Sequence, residues 1–172
     1  MSARQNPAAT DASLISRLLP LPNVLVDLEV SSKKRVFEHA GLLFENNHDI
    51  ARSQVFDKLF AREKLGSTGL GRGIAIPHGR IKGLRDAIGA MIRLREPIAF
   101  DAPDGNPVNL VFVLLVPEHA TDIHLRILSE LAQMFSDTLF RDRLLSATAA
   151  DAMHQLIAEW QTNAENHNSA AV

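Results

Sequence analysis

The apolar residues of this chain repeat with a helical period in some segments and with the period of a strand in others. A spacing of three or four residues predicts a helix, whereas alternation or an unbroken apolar run predicts a strand. The predicted helices cover residues 14–19, 32–46, 50–63, 121–135, 140–145 and 149–160. The predicted strands cover residues 24–28, 74–76, 87–94 and 110–116. Because helices and strands alternate along the chain, the pattern predicts an α/β fold.

The longest apolar run, residues 110–116, shows no alternation and therefore predicts a central strand that is buried on both faces. No repeat or linker divides the chain between the first and the last predicted helix. We therefore expect a single domain over residues 13–161, with a mixed β-sheet flanked by helices. The small and polar residues of 1–12 and 162–172 predict disordered tails.

Polar residues and prolines predict where these elements end. Ser31 or Ser32 can cap the second helix, and residues 148–151 resemble a capping box that opens the last helix. Residues 80–85 are interpreted as a basic turn, and residues 97–107 as a loop with a turn at Asp104-Gly105. The expected inner face of the 121–135 helix consists of Leu125, Leu128, Leu131, Ala132 and Phe135.

Composition narrows the class of protein. The chain has 172 residues, of which 46% are hydrophobic and 22% are charged, and these values are ordinary for a water-soluble domain. Its formal net charge of −2 argues against general nucleic-acid binding, and its lack of cysteine excludes disulfide and thiol chemistry. No apolar run is long enough to insert into a membrane, and the N-terminus lacks a secretory signal pattern. We therefore expect a cytoplasmic protein.

Candidate chemistry concentrates in residues 66–80, which hold five of the nine glycines in the chain. Residues 66–79 read Gly-Ser-Thr-Gly-Leu-Gly-Arg-Gly-Ile-Ala-Ile-Pro-His-Gly. Pro77 fixes its own φ and favours an extended conformation at Ile76, so His78 follows a rigid step. An imidazole that is neutral near pH 7 can serve as a nucleophile, a general base or a metal ligand. The plainer alternative is a turn histidine at the end of a strand.

The pattern of residues 66–80 fits neither a dinucleotide-binding site nor a zinc site well. The Gly69-x-Gly71-x-Gly73 spacing is reminiscent of a dinucleotide site, but that signature opens a helix, whereas this segment leads into Ile-Ala-Ile-Pro. A zinc site built from His78, His119 and His124 lacks a standard ligand spacing.

His124 is predicted in the first turn of a helix, where free N–H groups and the helix dipole favour a phosphate. The alternative is a half-buried histidine bonded to a backbone carbonyl. His119 is expected to face solvent. Arg62 could grip phosphate oxygens with its guanidinium, or could simply stabilise the end of its own helix. Ser67 and Thr68 could donate their hydroxyls to a phosphate or cap a turn.

The segment 66–79 closely resembles the active-site segment of enzyme IIA domains of the phosphoenolpyruvate-dependent phosphotransferase system, in the fructose/mannitol/nitrogen group. The resemblance extends from about residue 14 to residue 160, and residues 20–35 resemble the nitrogen-regulatory branch. It implies the type-2 enzyme IIA fold, with His78 phosphorylated on Nε2 and with His124 and Arg62 as active-site partners. Ser67, Thr68 and Gly79 complete the expected phosphate-binding set, with no metal and no cofactor.

The resemblance also implies partners. The donor would be an HPr-like phosphocarrier, itself loaded from phosphoenolpyruvate by an enzyme I-like protein. The regulated targets would be proteins such as potassium-transport regulators, sensor kinases or nitrogen-control proteins, recognised according to the phosphorylation state. The first alternative is a sugar-specific IIA component that passes phosphate to a IIB domain. A second alternative, an interaction module without transfer chemistry, would need a histidine that cannot be phosphorylated.

Overall fold

The computed structural model describes residues 14–119 and 122–160, so the predicted tails at 1–12 and 162–172 lie outside the described residues. The helices are α1 Leu14–Leu18, α2 Lys33–His48, α3 Arg52–Lys64, α4 Asp122–Ser136, α5 Thr138–Ser146 and α6 Ala150–Glu159. The strands are β1 Val24–Leu28, β2 Gly69–Gly71, β3 Ile74–Ala75, β4 His78–Ile81, β5 Ile88–Ile98 and β6 Val108–Pro117. A short 3₁₀ helix, Leu21–Asn23, precedes β1.

These strands form one mixed sheet, as the sequence predicts. The strand order is β1-β5-β6-β3-β2, and β4 also pairs with β6. Strand β5 runs parallel to β1 and antiparallel to β6, whereas β3 and β4 both run parallel to β6. In register, β3 lies beside Leu110 and Val111, and β4 lies beside residues 114–117. Strands β3 and β4 therefore follow one another along the same edge of β6.

Strand β6 is the centre of the domain, and both of its faces are buried. Alternate side chains on one face pack with α1, α4, α5 and α6; they are Leu110, Phe112, Leu114 and Val116. The side chains between them pack with α2 and α3; they are Val111, Val113 and Leu115. The predicted central strand and the layers of helices on either side of the sheet are thus confirmed.

Two predictions about side chains at helix ends have different outcomes. Ser32 caps α2, because its Oγ accepts a hydrogen bond of 3.2 Å from the N–H of Arg35. The predicted capping box at 148–151 is wrong, because the N-cap of α6 is Ala149, which has no side chain that could cap the helix.

Arg93 stabilises another helix end from a distance. Its guanidinium is buried and donates to the carbonyls of Leu144 and Ala147, at 2.9 and 2.7 Å. These carbonyls lie at and just beyond the end of α5, where a helix lacks partners of its own. Arg93 also pairs with Asp27 of β1 at 3.3 Å. The arginine therefore fastens α5 to the sheet.

The predicted inner face of α4 is partly wrong. Leu131 and Phe135 are buried, but Leu125 is 65% exposed and Ala132 is also exposed. The core is completed from the neighbouring helical positions Ile127 and Met134. The helix therefore carries a second apolar stripe that faces away from the core.

Residues 80 and 81, predicted as the beginning of a basic turn, instead belong to strand β4, which is a correction to the predicted boundary. The predicted loop over 97–107 also begins later, because β5 continues to Ile98. The turn at Asp104-Gly105 is confirmed by a bond of 3.0 Å from the N–H of Gly105 to the carbonyl of Ala102.

Gly89 gives a test of packing at the centre of the sheet. A Cβ at this position would lie 2.7 Å from two ring atoms of Phe112 and 2.9 Å from Leu18. Phe112 is fully buried and packs edge-on against Phe135, so its ring has little room to move. We expect Gly89→Ala to lower the free energy of unfolding by about 1–3 kcal/mol, measured by urea denaturation. Adding Phe112→Leu should recover part of that loss; an unchanged midpoint in Gly89→Ala would contradict this packing.

Candidate active site

His78 is held by the interruption between β3 and β4. Pro77 has no N–H, but its carbonyl accepts a bond of 2.9 Å from the N–H of Leu114 and so continues the pairing with β6. The carbonyl of Ile76 instead lies 2.8 Å from Nδ1 of His78. Because a carbonyl only accepts, Nδ1 carries the proton, and the free lone pair of the ring is on Nε2.

The His124 ring lies against the His78 ring. Their centroids are 5.3 Å apart and the rings meet edge to face, at 66°. His124 belongs to the first turn of α4, as predicted. Its Nδ1 lies 3.5 Å from Nη2 of Arg80, whereas its Nε2 is buried and has no hydrogen-bond partner among the described residues. His119, whose side chain is 93% exposed, does not join the pair.

Arg62 brings a positive charge to the same place. It lies in the last turn of α3 and donates from Nη1 to the carbonyl of Gly66 at 2.8 Å. It lines a groove of about 200 Å³ next to His78. The other groove residues are Ser67, Thr68, Gly69, Leu70, Ile76, Leu128 and Ala132. Leu128, which also packs against the core, and the outward-facing Ala132 place α4 in the wall of this groove.

The two predicted hydroxyls line the groove but already have acceptors. Ser67 Oγ donates to the carbonyl of Phe100 at 2.7 Å, and Thr68 Oγ1 donates to Glu63 at 2.6 Å. A phosphate would have to replace these acceptors to receive either proton. Gly79 lies on the opposite face of β4 from His78, where a Cβ would lie 3.0 Å from Cβ of Lys58 in α3. Any phosphate contact by Gly79 would therefore come from its backbone.

The buried carboxylate of Glu63 holds the groove residue Thr68 in place. The Glu63 side chain is only 4% exposed, and its Oε2 accepts bonds of 3.0 Å from both Lys33 and the N–H of Thr68. The carbonyl of Thr68 in turn accepts a bond of 3.0 Å from the N–H of Ile76. Separate hydrogen bonds therefore link Lys33 to Glu63, Glu63 to Thr68, Thr68 to Ile76, and Ile76 to His78.

Both histidines are held neutral at physiological pH. Burial is the main cause of the lowered pKa of His78; the charges of Arg62 and Arg80 lower it further, whereas the Ile76 carbonyl and Glu63 oppose them. The pKa of His124 is also lowered, chiefly by burial and then by His78, Arg80 and Arg62. At neutral pH, Nε2 of His78 therefore keeps its lone pair.

Sequence reasoning missed two residues of this site. Arg80 was assigned to a turn, yet it lies on β4 two positions after His78 and on the same face. The alternation of a strand would have indicated this, had residues 78–81 been recognised as one. The burial of Glu63 depends on its contact with Lys33, 30 residues away, which no local pattern reveals.

Residues 14–119 and 122–160 contain neither a cluster of metal-binding side chains nor a membrane-spanning helix. No group of three or more histidine, cysteine, aspartate or glutamate side chains there is arranged to hold a metal ion. Within the same ranges, no helix is long and apolar enough to span a membrane.

Comparison with known proteins identifies the class. Residues 17–160 match the family described as "Phosphoenolpyruvate-dependent sugar phosphotransferase system, EIIA 2". The chain belongs to this family. The mannitol IIA of Escherichia coli, at 22% identity and a TM-score of 0.69 over 81% of this chain and 98% of that one, shares the fold.

Within the family, the chain is similar to nitrogen regulatory proteins. The "Nitrogen regulatory protein" of Pseudomonas aeruginosa is 45% identical over 148 residues, which cover 86% of this chain and 96% of that protein. The structure of nitrogen regulatory protein IIA-Ntr from Neisseria meningitidis has a TM-score of 0.80 and 54% identity, and the match covers 84% of this chain and 99% of that one.

A sugar-specific relative is more distant. The "PTS system fructose-specific EIIA component" of Haloferax volcanii is 31% identical over 150 residues, 87% of this chain and 97% of that protein. The resemblance stated from the sequence is therefore confirmed, both for the family and for its nitrogen-regulatory branch.

The opposed charges around His78 can be tested by titration. Arg62→Gln should raise the pKa of His78, because it removes a neighbouring positive charge. Glu63→Gln should lower that pKa, because it removes a negative charge while keeping an oxygen that can accept from Thr68. Both shifts can be followed by NMR of the imidazole Cε1–H.

Lys64→Gln is the matched control. It removes a charge from the same turn of α3, but the Lys64 ammonium lies over the Phe60 ring, 5.0 Å from its centroid. The His78 pKa should then stay unchanged. Shifts of the same sign in Arg62→Gln and Glu63→Gln would contradict the arrangement described here.

Proposed function

We propose that this protein is a phosphohistidine carrier of a nitrogen-regulatory phosphotransferase system, which accepts a phosphoryl group on Nε2 of His78. The observation that carries the proposal is the bond of 2.8 Å between Nδ1 of His78 and the carbonyl of Ile76. It leaves Nε2 with the lone pair, beside a groove that Arg62 lines. Membership in the IIA family and the similarity to nitrogen regulatory proteins support this reading.

The transfer step can be written with these groups. The lone pair of His78 Nε2 attacks the phosphorus of a phosphohistidine on an HPr-like donor. A new N–P bond forms on His78 as the donor's N–P bond breaks, and the electron pair of the broken bond returns to the donor imidazole. Such transfers depend on in-line positioning and on groups that stabilise charge on the phosphoryl oxygens.

The surrounding groups have separate roles in this proposal. The His78 ring gains positive charge when Nε2 bonds phosphorus, so its Nδ1–H bond to the Ile76 carbonyl strengthens during transfer. Arg62 and the Nε2–H of His124 would contact the phosphoryl oxygens. Ser67, Thr68 and the backbone of Gly79 remain a predicted outer set, since the two hydroxyls must first leave their present acceptors.

Regulation would follow from the charge of the phosphoryl group. Phosphorylation adds nearly two negative charges at neutral pH, here beside a groove with two nearby guanidiniums. Targets such as potassium-transport regulators, sensor kinases or nitrogen-control proteins would then distinguish the two forms by their electrostatics. The donor would receive its phosphate from phosphoenolpyruvate through an enzyme I-like protein, in the cytoplasm. Transfer to a sugar-specific IIB domain is the second candidate, which the fructose-specific relative supports at lower identity.

Phosphorylation can be tested directly by intact mass. With phosphoenolpyruvate, enzyme I and the nitrogen-type carrier, the protein should gain one acid-labile phosphoryl group, and His78→Ala should gain none. His124→Gln and Arg62→Gln should slow labelling by about 10²-fold or more, because each removes a group that stabilises charge in the transition state. Lys64→Gln should label at the normal rate.

The same assay separates the two candidates. Label from the sugar-type carrier only, followed by rapid passage to a sugar IIB domain, would replace the regulatory proposal with the sugar-specific one. Label that persists in His78→Ala would place the acceptor elsewhere and contradict the proposal.

The lowered pKa of His78 predicts a pH dependence. Only the neutral ring has a lone pair on Nε2, so acceptance should fall as the pH drops through the pKa of His78. Because that pKa is depressed, the midpoint should lie below the ordinary histidine value of about 6.5. The measurement is the single-turnover rate from preloaded donor between pH 5 and 8. Glu63→Gln should move the midpoint to still lower pH, and a midpoint above 6.5 in the unaltered protein would contradict the assignment.

A further inference from the structure

Arg80 is a third residue beside the two active-site histidines, although nothing in the sequence pattern singles it out. It lies on β4 two residues after His78, and the register of β4 on β6 places both side chains on the face that α4 covers. Its Nη1 donates to the carbonyl of Glu118 at 2.9 Å, and its Nη2 lies 3.5 Å from Nδ1 of His124. The guanidinium is therefore anchored at one end and meets the imidazole at the other.

This contact indicates where the proton of His124 lies. A guanidinium carries only N–H donors, so His124 Nδ1 must be the acceptor in this pair. In the neutral ring the proton is then on Nε2. That Nε2 is buried, and none of the described residues accepts a bond from it. A buried N–H without an acceptor is unfavourable, so this donor fits a ligand that brings an acceptor oxygen.

The two imidazole rings are therefore protonated on opposite nitrogens. His78 donates from Nδ1 to the Ile76 carbonyl and keeps its lone pair on Nε2. His124 accepts on Nδ1 and keeps its proton on Nε2. His78 can therefore act as a nucleophile and His124 as a hydrogen-bond donor. The guanidinium of Arg80 contacts the Nδ1 lone pair of His124, with which His124 could otherwise compete with His78 for the phosphoryl group.

We propose that Arg80 is a positioning residue that fixes His124 in its Nε2–H tautomer, so that His124 donates to a phosphoryl oxygen and is not itself phosphorylated. The phosphoryl part of this inference rests on the proposed function; the tautomer part does not. The charge of Arg80 also helps to keep His124 neutral, which Nδ1 requires in order to accept.

The tautomer can be tested by two-dimensional ¹H–¹⁵N NMR of the imidazole nitrogens in the unphosphorylated protein, above the pKa of both rings. The unaltered protein should show His124 as the Nε2–H form and His78 as the Nδ1–H form. Arg80→Met removes the donor but keeps an unbranched side chain; it should add Nδ1–H form to His124 and leave the tautomer of His78 unchanged. Arg80→Lys, which restores a donor, should recover the Nε2–H form.

Arg85→Met is the matched control, because it removes a positive charge from an exposed position in the segment that follows β4. Its His124 tautomer should stay as in the unaltered protein. The inference is overturned if His124 shows the Nδ1–H form in the unaltered protein, or if Arg80→Met leaves it wholly Nε2–H. A change in the His78 tautomer in Arg80→Met would also overturn it, because the effect would then be a general disturbance of the site.

Transfer kinetics complete the test. Arg80→Met should slow single-turnover labelling of His78 at least tenfold, whereas Arg80→Lys should lose less and Arg85→Met nothing. Slow labelling of Arg80→Met with an unchanged tautomer would mean that Arg80 contacts the phosphoryl group directly, against the positioning role. Failure of every form to label, with the predicted tautomers present, would count against the proposed function and leave the tautomer inference standing.

Discussion

The site depends on one break in strand pairing. Strands β3 and β4 both lie beside β6, and between them Pro77 lacks the N–H that a continuous strand would supply. The N–H of Leu114 donates to the carbonyl of Pro77, and the carbonyl of Ile76 accepts from Nδ1 of His78. Because β6 is buried on both faces and fixed by its neighbours, this small irregularity is held rigidly. The direction of the His78 ring is thus set by the backbone of the sheet.

Around that fixed ring, charge is arranged in two layers. Arg62 and Arg80 lie close to the imidazoles and favour a neutral pair of rings, ready for an incoming anion. Beneath them, Glu63 partly offsets the positive charge and binds the backbone of Thr68 at the same time. Lys33 compensates the buried carboxylate, which would otherwise be expensive to keep ionised. One ion pair therefore serves both the electrostatics and the shape of the groove.

The fold and the family could be predicted from the sequence because their signals are local. An unbroken apolar run indicates a doubly covered strand, a serine before a helix indicates a cap, and the glycine-rich segment ending in Ile-Pro-His carries the family resemblance. The errors arose where a signal is shared or distant. The four-residue strand β4 contains a glycine and an arginine and so looked like a turn. Helix α4 carries apolar side chains for both the core and the groove, and a single stripe could not account for both. The burial of Arg93 and Glu63 depends on partners 51 to 54 and 30 residues away.

The alternation of β4 has a consequence for how a signal would leave this protein. Odd and even positions of the strand face different helical layers: His78 and Arg80 face α4, whereas Gly79 and Ile81 face α2 and α3. A group added to His78 is thus separated from half of the interior by the thickness of the sheet. On the proposed function, a phosphoryl group on His78 would lie beside the groove that Arg62, Leu128 and Ala132 line. A partner would then contact the phosphoryl group directly, at the surface formed by α4 and the glycine-rich segment.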